Sequence, residues 1–150
     1  MLLAEALKER ADAQRRLADL KQRISDNARV HENERPAEDP QALLHQAIEV
    51  NERIRALDVA VKVTKTATRL PDGTTVTEAL ARRQALNGRM RLVTDAADSA
   101  SDNVARWGRE VALLDVAALR AEADRLAAQR RALDVEIERV GWTTELTVAV

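Results

Sequence analysis

The chain has 150 residues, 25 acidic and 24 basic side chains for a net charge of −1, and no cysteine. It is long enough for one domain, and it excludes disulfides, thiolate nucleophiles and thiolate metal sites together. The near-neutral balance speaks against a partner chosen by bulk charge, so no nucleic-acid binding is predicted.

Aromatic side chains are limited to Trp107 and Trp142, with no Phe or Tyr. Sandwiches, barrels and doubly wound sheets draw on aromatic and β-branched residues, whereas 28 alanines with abundant Leu, Arg, Glu and Gln form a helix-building vocabulary. The expected class is all-α, with long antiparallel amphipathic helices in a coiled-coil-like four-helix bundle, as a single domain over 1–150. No apolar run approaches the roughly 18 residues of a membrane span. The opening MLLAEALKERADAQRR places charge where a signal peptide has its apolar core, so a cytoplasmic location is expected.

Apolar spacing predicts four helices, over about 3–29, 40–66, 76–99 and 115–140. The first carries Leu3, Ala6, Arg10, Ala13, Leu17, Leu20 and Ile24 in alternating steps of three and four. The second follows Asp39-Pro40, an acidic cap with proline at the first helical position. Its row is Leu43, Ala47, Val50, Ile54, Leu57 and Val61. The third opens on Thr75-Val76-Thr77-Glu78, a capping box, and continues through Ala79, Arg83, Leu86, Met90, Val93 and Ala97. The fourth starts near Asp115 and holds Val116, Leu119, Ala123, Leu126, Arg130, Leu133, Ile137 and Val140. A strict three-four alternation is the seam of left-handed helix packing.

Val30–Asp39 reads as a polar loop. Leu70-Pro71-Asp72-Gly73 is a tight-turn signal that closes a short hairpin over 67–76, because proline presets φ and glycine supplies φ > 0. Residues 103–114, around Trp107-Gly108, show alternation suggesting a second extended excursion, with a kinked helix as the alternative. Gly141 is expected to stop the last helix, and Trp142 to fold back over its final turn. The tail 141–150 places Leu146, Val148 and Val150 at period two, which favours docking as a strand on another edge, with a frayed tail as the alternative.

Chemistry-bearing patterns are not found. His31 and His45 lack the Glu-x-x-His spacing of a di-iron bundle, and the acidic loop around His31 reads as solvated. Ser25, Ser99 and Ser101 stand in no nucleophile elbow, and four glycines cannot write a phosphate loop. No catalytic, cofactor or metal residue is assigned. Arg10, Arg83 and Arg130 fall on seams, where a charge must either reach water or meet an acid.

The segments Leu3-Ala4-Glu5-Ala6-Leu7-Lys8-Glu9-Arg10-Ala11-Asp12, Glu34-Arg35-Pro36-Ala37-Glu38-Asp39-Pro40, Ala67-Thr68-Arg69-Leu70-Pro71-Asp72-Gly73 with Glu78-Ala79-Leu80, Leu133-Asp134-Val135-Glu136-Ile137 and Trp142-Thr143-Thr144-Glu145-Leu146 resemble the septicolysin-like family of small bacterial proteins. The resemblance spans nearly the whole chain through helix and turn signatures. It implies a helical fold and, from the family's name, a pore-forming haemolysin.

The residues themselves favour a structural or interaction protein acting as a helical homo-oligomer. Packing or oligomer contacts are expected at Leu119, Leu126, Leu133, Ile137, Trp107, Trp142, Leu146 and Val148. A membrane-active protein is the alternative, disfavoured because interfacial helices are typically basic with aromatic anchors. A third reading, an enzyme or ligand-binding bundle, would use a pocket lined by the seam arginines.

Overall fold

Helix starts are set where capping chemistry stands in the sequence. Asp39 accepts from the Gln41 N–H at 2.9 Å ahead of Pro40. Thr75 Oγ1 accepts from the Glu78 N–H at 3.1 Å, while Glu78 Oε2 accepts from the Thr75 N–H at 2.7 Å. Asp115 Oδ1 accepts from the Ala118 N–H at 2.9 Å. Each cap satisfies amide groups that the first helical turn leaves without partners.

The structure, a computed structural model, describes residues 1–101 and 111–150. Its helices are α1 (Leu3–Asn27), α2 (Pro40–Ala67), α3 (Val76–Ser101) and α4 (Val116–Thr143). The all-α expectation with four long helices holds, and at 25 to 28 residues each runs about 40 Å. The chain divides into two compact units, Met1–Thr68 with Gly141–Val150, and Arg69–Val140.

In the first unit α1 and α2 lie antiparallel. Leu3 and Ala6 pack with Leu57 and Val61 near one end, and Leu20 packs with Leu43 and Ala47 near the other. The expected tail strand forms here as a single antiparallel bridge, Leu2 to Glu145. The Leu3 N–H donates to the Thr144 carbonyl at 2.8 Å and the Leu146 N–H to that of Met1 at 3.0 Å. Leu146 thereby closes the cluster of Leu3, Ala6, Leu57 and Val61.

In the second unit Leu70, Val76, Ala79 and Leu133 form the buried cluster, with Ile137 and Val140 against it. The hairpin expected over 67–76 is one bridge, Arg69 to Thr75, around Gly73 at φ +86°. Asp72 Oδ1 accepts from the Thr74 N–H at 3.0 Å and its hydroxyl at 2.6 Å, so the turn is tied by its own side chain.

The two units are built on one plan. A step of 73 carries the α1 row onto the α3 row, from Leu3 to Val76, Ala6 to Ala79, Arg10 to Arg83 and Leu20 to Val93. A step of 76 carries the α2 row onto the α4 row, from Leu43 to Leu119, Ala47 to Ala123, Leu57 to Leu133 and Thr64 to Val140. The same step of 76 takes the cap Asp39 to Asp115 and the closing Leu70 to Leu146. Each unit is thus a helical hairpin whose open end is sealed by one leucine on an extended segment.

Two expectations at the C-terminus are corrected. Gly141 does not stop α4, which continues to Thr143. Glycine permits a helix end but does not impose one, and here the last turn is held by the pairing of Thr144 with Leu3. A Cβ at Gly141 would meet Ala4 Cβ at 3.8 Å, an ordinary contact. Trp142 lies within this turn as part of α4 and remains 54% exposed, so it does not fold back over the helix end. The excursion expected at 103–114 falls mostly on 102–110, outside the described residues, and Val111, Leu113 and Leu114 beyond it are exposed.

Candidate functional site

The seam arginines meet acids. Arg10 Nη1 donates to Asp58 Oδ1 at 2.9 Å across α1 and α2. Arg83 reaches Asp134 at 3.4 Å across α3 and α4, and Arg130 shares that carboxylate at 3.5 Å. All of these side chains retain partial exposure, so the pairs hold register at modest energy. Arg10 to Arg83 and Asp58 to Asp134 follow the two steps above, so the same pair occurs once in each unit.

Arg53 and Glu9 add a bridge at 2.6 Å beside the first pair, at a cavity of about 250 Å³ lined by Glu9, Asp12, Arg16, Val50 and Arg53. At the loop end Arg23 holds Glu38 through two nitrogens and Asp19 at 3.3 Å. Its partners raise the Arg23 pKa, with the Glu38 bond the largest cause, and Arg23 in turn lowers that of Glu38. Thr74 lowers Asp72, and the Thr75 amide lowers Glu78. Each shift is explained by a cap, turn or ion pair. In the second unit a cleft of about 520 Å³ between α3 and α4 is lined by Arg91, Asp95, Arg120 and Asp124 with Met90 and Ala123. Arg120 there is bonded to Asp98 at 2.5 Å, and the opposed charges present no field of one sign.

Among the described residues, one polar side chain is fully buried. Thr64 continues the α2 row, and its Oγ1 accepts from the Thr147 N–H at 3.0 Å and contacts the Thr147 hydroxyl at 3.1 Å. The sequence reading ends the row at Val61 and misses it, although Thr64 stands at the next step of three.

Leu126 and Leu133 are buried on the α4 seam, and Leu119 and Ile137 are half-buried there. Leu146 closes the first unit. Val148 is exposed, as is Trp142, and Trp107 lies outside the described residues. No three His, Asp or Glu side chains converge among the described residues, and no described helix is long and apolar enough to cross a membrane.

Among the described helical residues, α2 carries the most exposed large apolar side chains. Beyond its buried row, Leu44, Ile48, Val59 and Val63 point outward at 42–54% exposure. A shallow, mostly apolar groove of about 460 Å³ runs beside Val63, lined by Lys62, Thr66 and Ala67.

Residues 10–146 match a family of unknown function, DUF6847. The chain belongs to that family. A crystal structure of a functionally unknown conserved protein from Corynebacterium diphtheriae is similar at 38% identity, over 98% of this chain and 99% of that one, with a TM-score of 0.90. No curated protein matches the sequence.

Proposed function

We propose that this protein is a structural or interaction module that works as a helical homo-oligomer. The observation carrying this reading is the double-faced α2, with one apolar row buried against α1 and a second, Leu44, Ile48, Val59 and Val63, left in water. Single exposed aliphatics are ordinary, but several aligned on one helix mark an interaction surface.

Sedimentation velocity at micromolar concentration tests the reading. A mass of two or more 16.6 kDa chains is expected, and a clean monomer overturns it. Dye release from liposomes by such a monomer would favour the membrane-active alternative that the septicolysin-like resemblance implies.

A further inference from the structure

The outward row of α2 has an internal symmetry. Leu44 and Ile48 lie as far before the point between Arg53 and Ile54 as Val63 and Val59 lie after it, and Glu52 and Arg55 flank the same point. Turning a second helix end for end about that point brings Ile48 level with Val59, Leu44 level with Val63, and Glu52 level with Arg55. Apolar meets apolar, and acid meets base, twice over. Resting on the oligomer reading above, we infer that a second copy of this chain docks on the outer face of α2, antiparallel, about a twofold axis between Arg53 and Ile54.

Three observations favour this occupant. A twofold interface requires a self-complementary patch, and this row has that property in both hydrophobicity and charge. Glu52 and Arg55 already pair within the helix at 2.7 Å while remaining well exposed, so the second copy's pair completes an alternating ring of four charges. The groove beside Val63 lies level with Leu44 of the incoming copy and offers it an apolar seat. The spacing of 11 residues, from Leu44 to Arg55 and from Ile48 to Val59, keeps one face toward a neighbour with a right-handed crossing.

The fold itself does not call for the row. In α4, whose inward row matches that of α2 position for position, the residues equivalent to Leu44, Ile48 and Val63 are Arg120, Asp124 and Arg139, and only the equivalent of Val59, the exposed Val135, stays aliphatic. A helical hairpin of this plan therefore forms with one aliphatic residue on that face, and α2 carries three more.

Sedimentation of the full-length chain and its variants, with circular dichroism confirming unchanged helicity, decides the matter. Ile48→Glu with Val59→Glu places like charges at the centre of the contact and weakens dimerisation more than about a hundredfold. Glu52→Arg alone and Arg55→Glu alone each weaken it about tenfold or more. The double variant Glu52→Arg with Arg55→Glu restores it. Mixing the two single variants gives a heterodimer, because one then presents two bases and the other two acids. If the wild type dimerises and the Ile48, Val59 variant dimerises equally well, the proposed face is wrong while the oligomer reading stands. If the single variants fail to pair on mixing although each is weakened alone, the antiparallel register is wrong. A wild-type monomer overturns both readings.

Discussion

The two units share an interior and differ outside it. In each, a row with arginine at its third place packs against a facing helix that supplies the aspartate, Arg10 to Asp58 at 2.9 Å in one and Arg83 to Asp134 at 3.4 Å in the other. The second pair is looser because Arg130 competes for the same carboxylate at 3.5 Å, whereas the equivalent position in the first unit is the aliphatic Ile54. Each open end is sealed by a leucine, Leu146 or Leu70. The anchoring behind that leucine differs, since Thr64 holds the tail by its hydroxyl, whereas its equivalent is Val140 and the turn ties itself through Asp72. Packed positions are constrained by volume, while the outer faces differ, with an apolar row on α2 and, on α4, charged residues at all of its equivalent positions but Val135. What the units have in common reports on folding, and what they do not share points to use.

The largest expected effect lies in the shared interior. Leu57 is fully buried and its equivalent Leu133 nearly so, so Leu57→Ala is expected to cost about 3–5 kcal/mol and Leu133→Ala about 2–4 kcal/mol. Urea unfolding of both variants checks the order, and a larger loss at Leu133 would break the equivalence of the two cores.

A smaller effect separates the two seals. Thr64→Val keeps the shape but removes the acceptor for the Thr147 N–H, with an expected cost of about 1–3 kcal/mol. Hydrogen exchange at the Thr147 amide should accelerate while the amide of Leu70 in the second unit stays protected. Equal acceleration at both amides contradicts separate anchoring.

The cross-seam pairs come next. Double-mutant cycles for Arg10 with Asp58 and for Arg83 with Asp134 should each return about 0.2–1 kcal/mol, given the partial exposure of all four side chains. The Arg10 cycle is expected to give the larger value, and the reverse order would mean that Arg130 strengthens its neighbour's bond.

Acid provides the mildest test. Glu38, Asp72 and Glu78 are all held below their ordinary values. A carboxylate with a depressed folded pKa contributes fully above its unfolded value, and the contribution is lost as pH falls through the folded one. Stability should therefore be flat near neutrality and decline below about pH 4. Glu78→Gln should flatten that decline and speed exchange at the Thr75 amide, and an unchanged acid profile would contradict the role of the cap.

Much of this was legible in advance because its causes are local. Every residue of the four rows predicted from spacing is buried or half-buried, since period and face are coupled by helix geometry alone. Asp39, Thr75 with Glu78, and Asp115 mark helix starts by chemistry contained within four residues. Gly141 misled for the same reason, because its local tendency to end a helix was outweighed by the pairing of Thr144 with Leu3, 141 positions away in sequence. The repeat was also present in the sequence, in two arginines 73 residues apart and two aspartates 76 apart, but nothing local marks such a correspondence.

Composition and spacing therefore determined the class, the four helices, their inward rows and their caps, all of which follow from interactions within a few turns. Only the tertiary structure decided which acid each seam arginine meets, that Thr64 anchors the tail, and that Leu146 closes the first hairpin. It also showed that the second apolar row of α2 stays in water. These depend on contacts between residues far apart in the chain, whose free energy no short window of sequence contains.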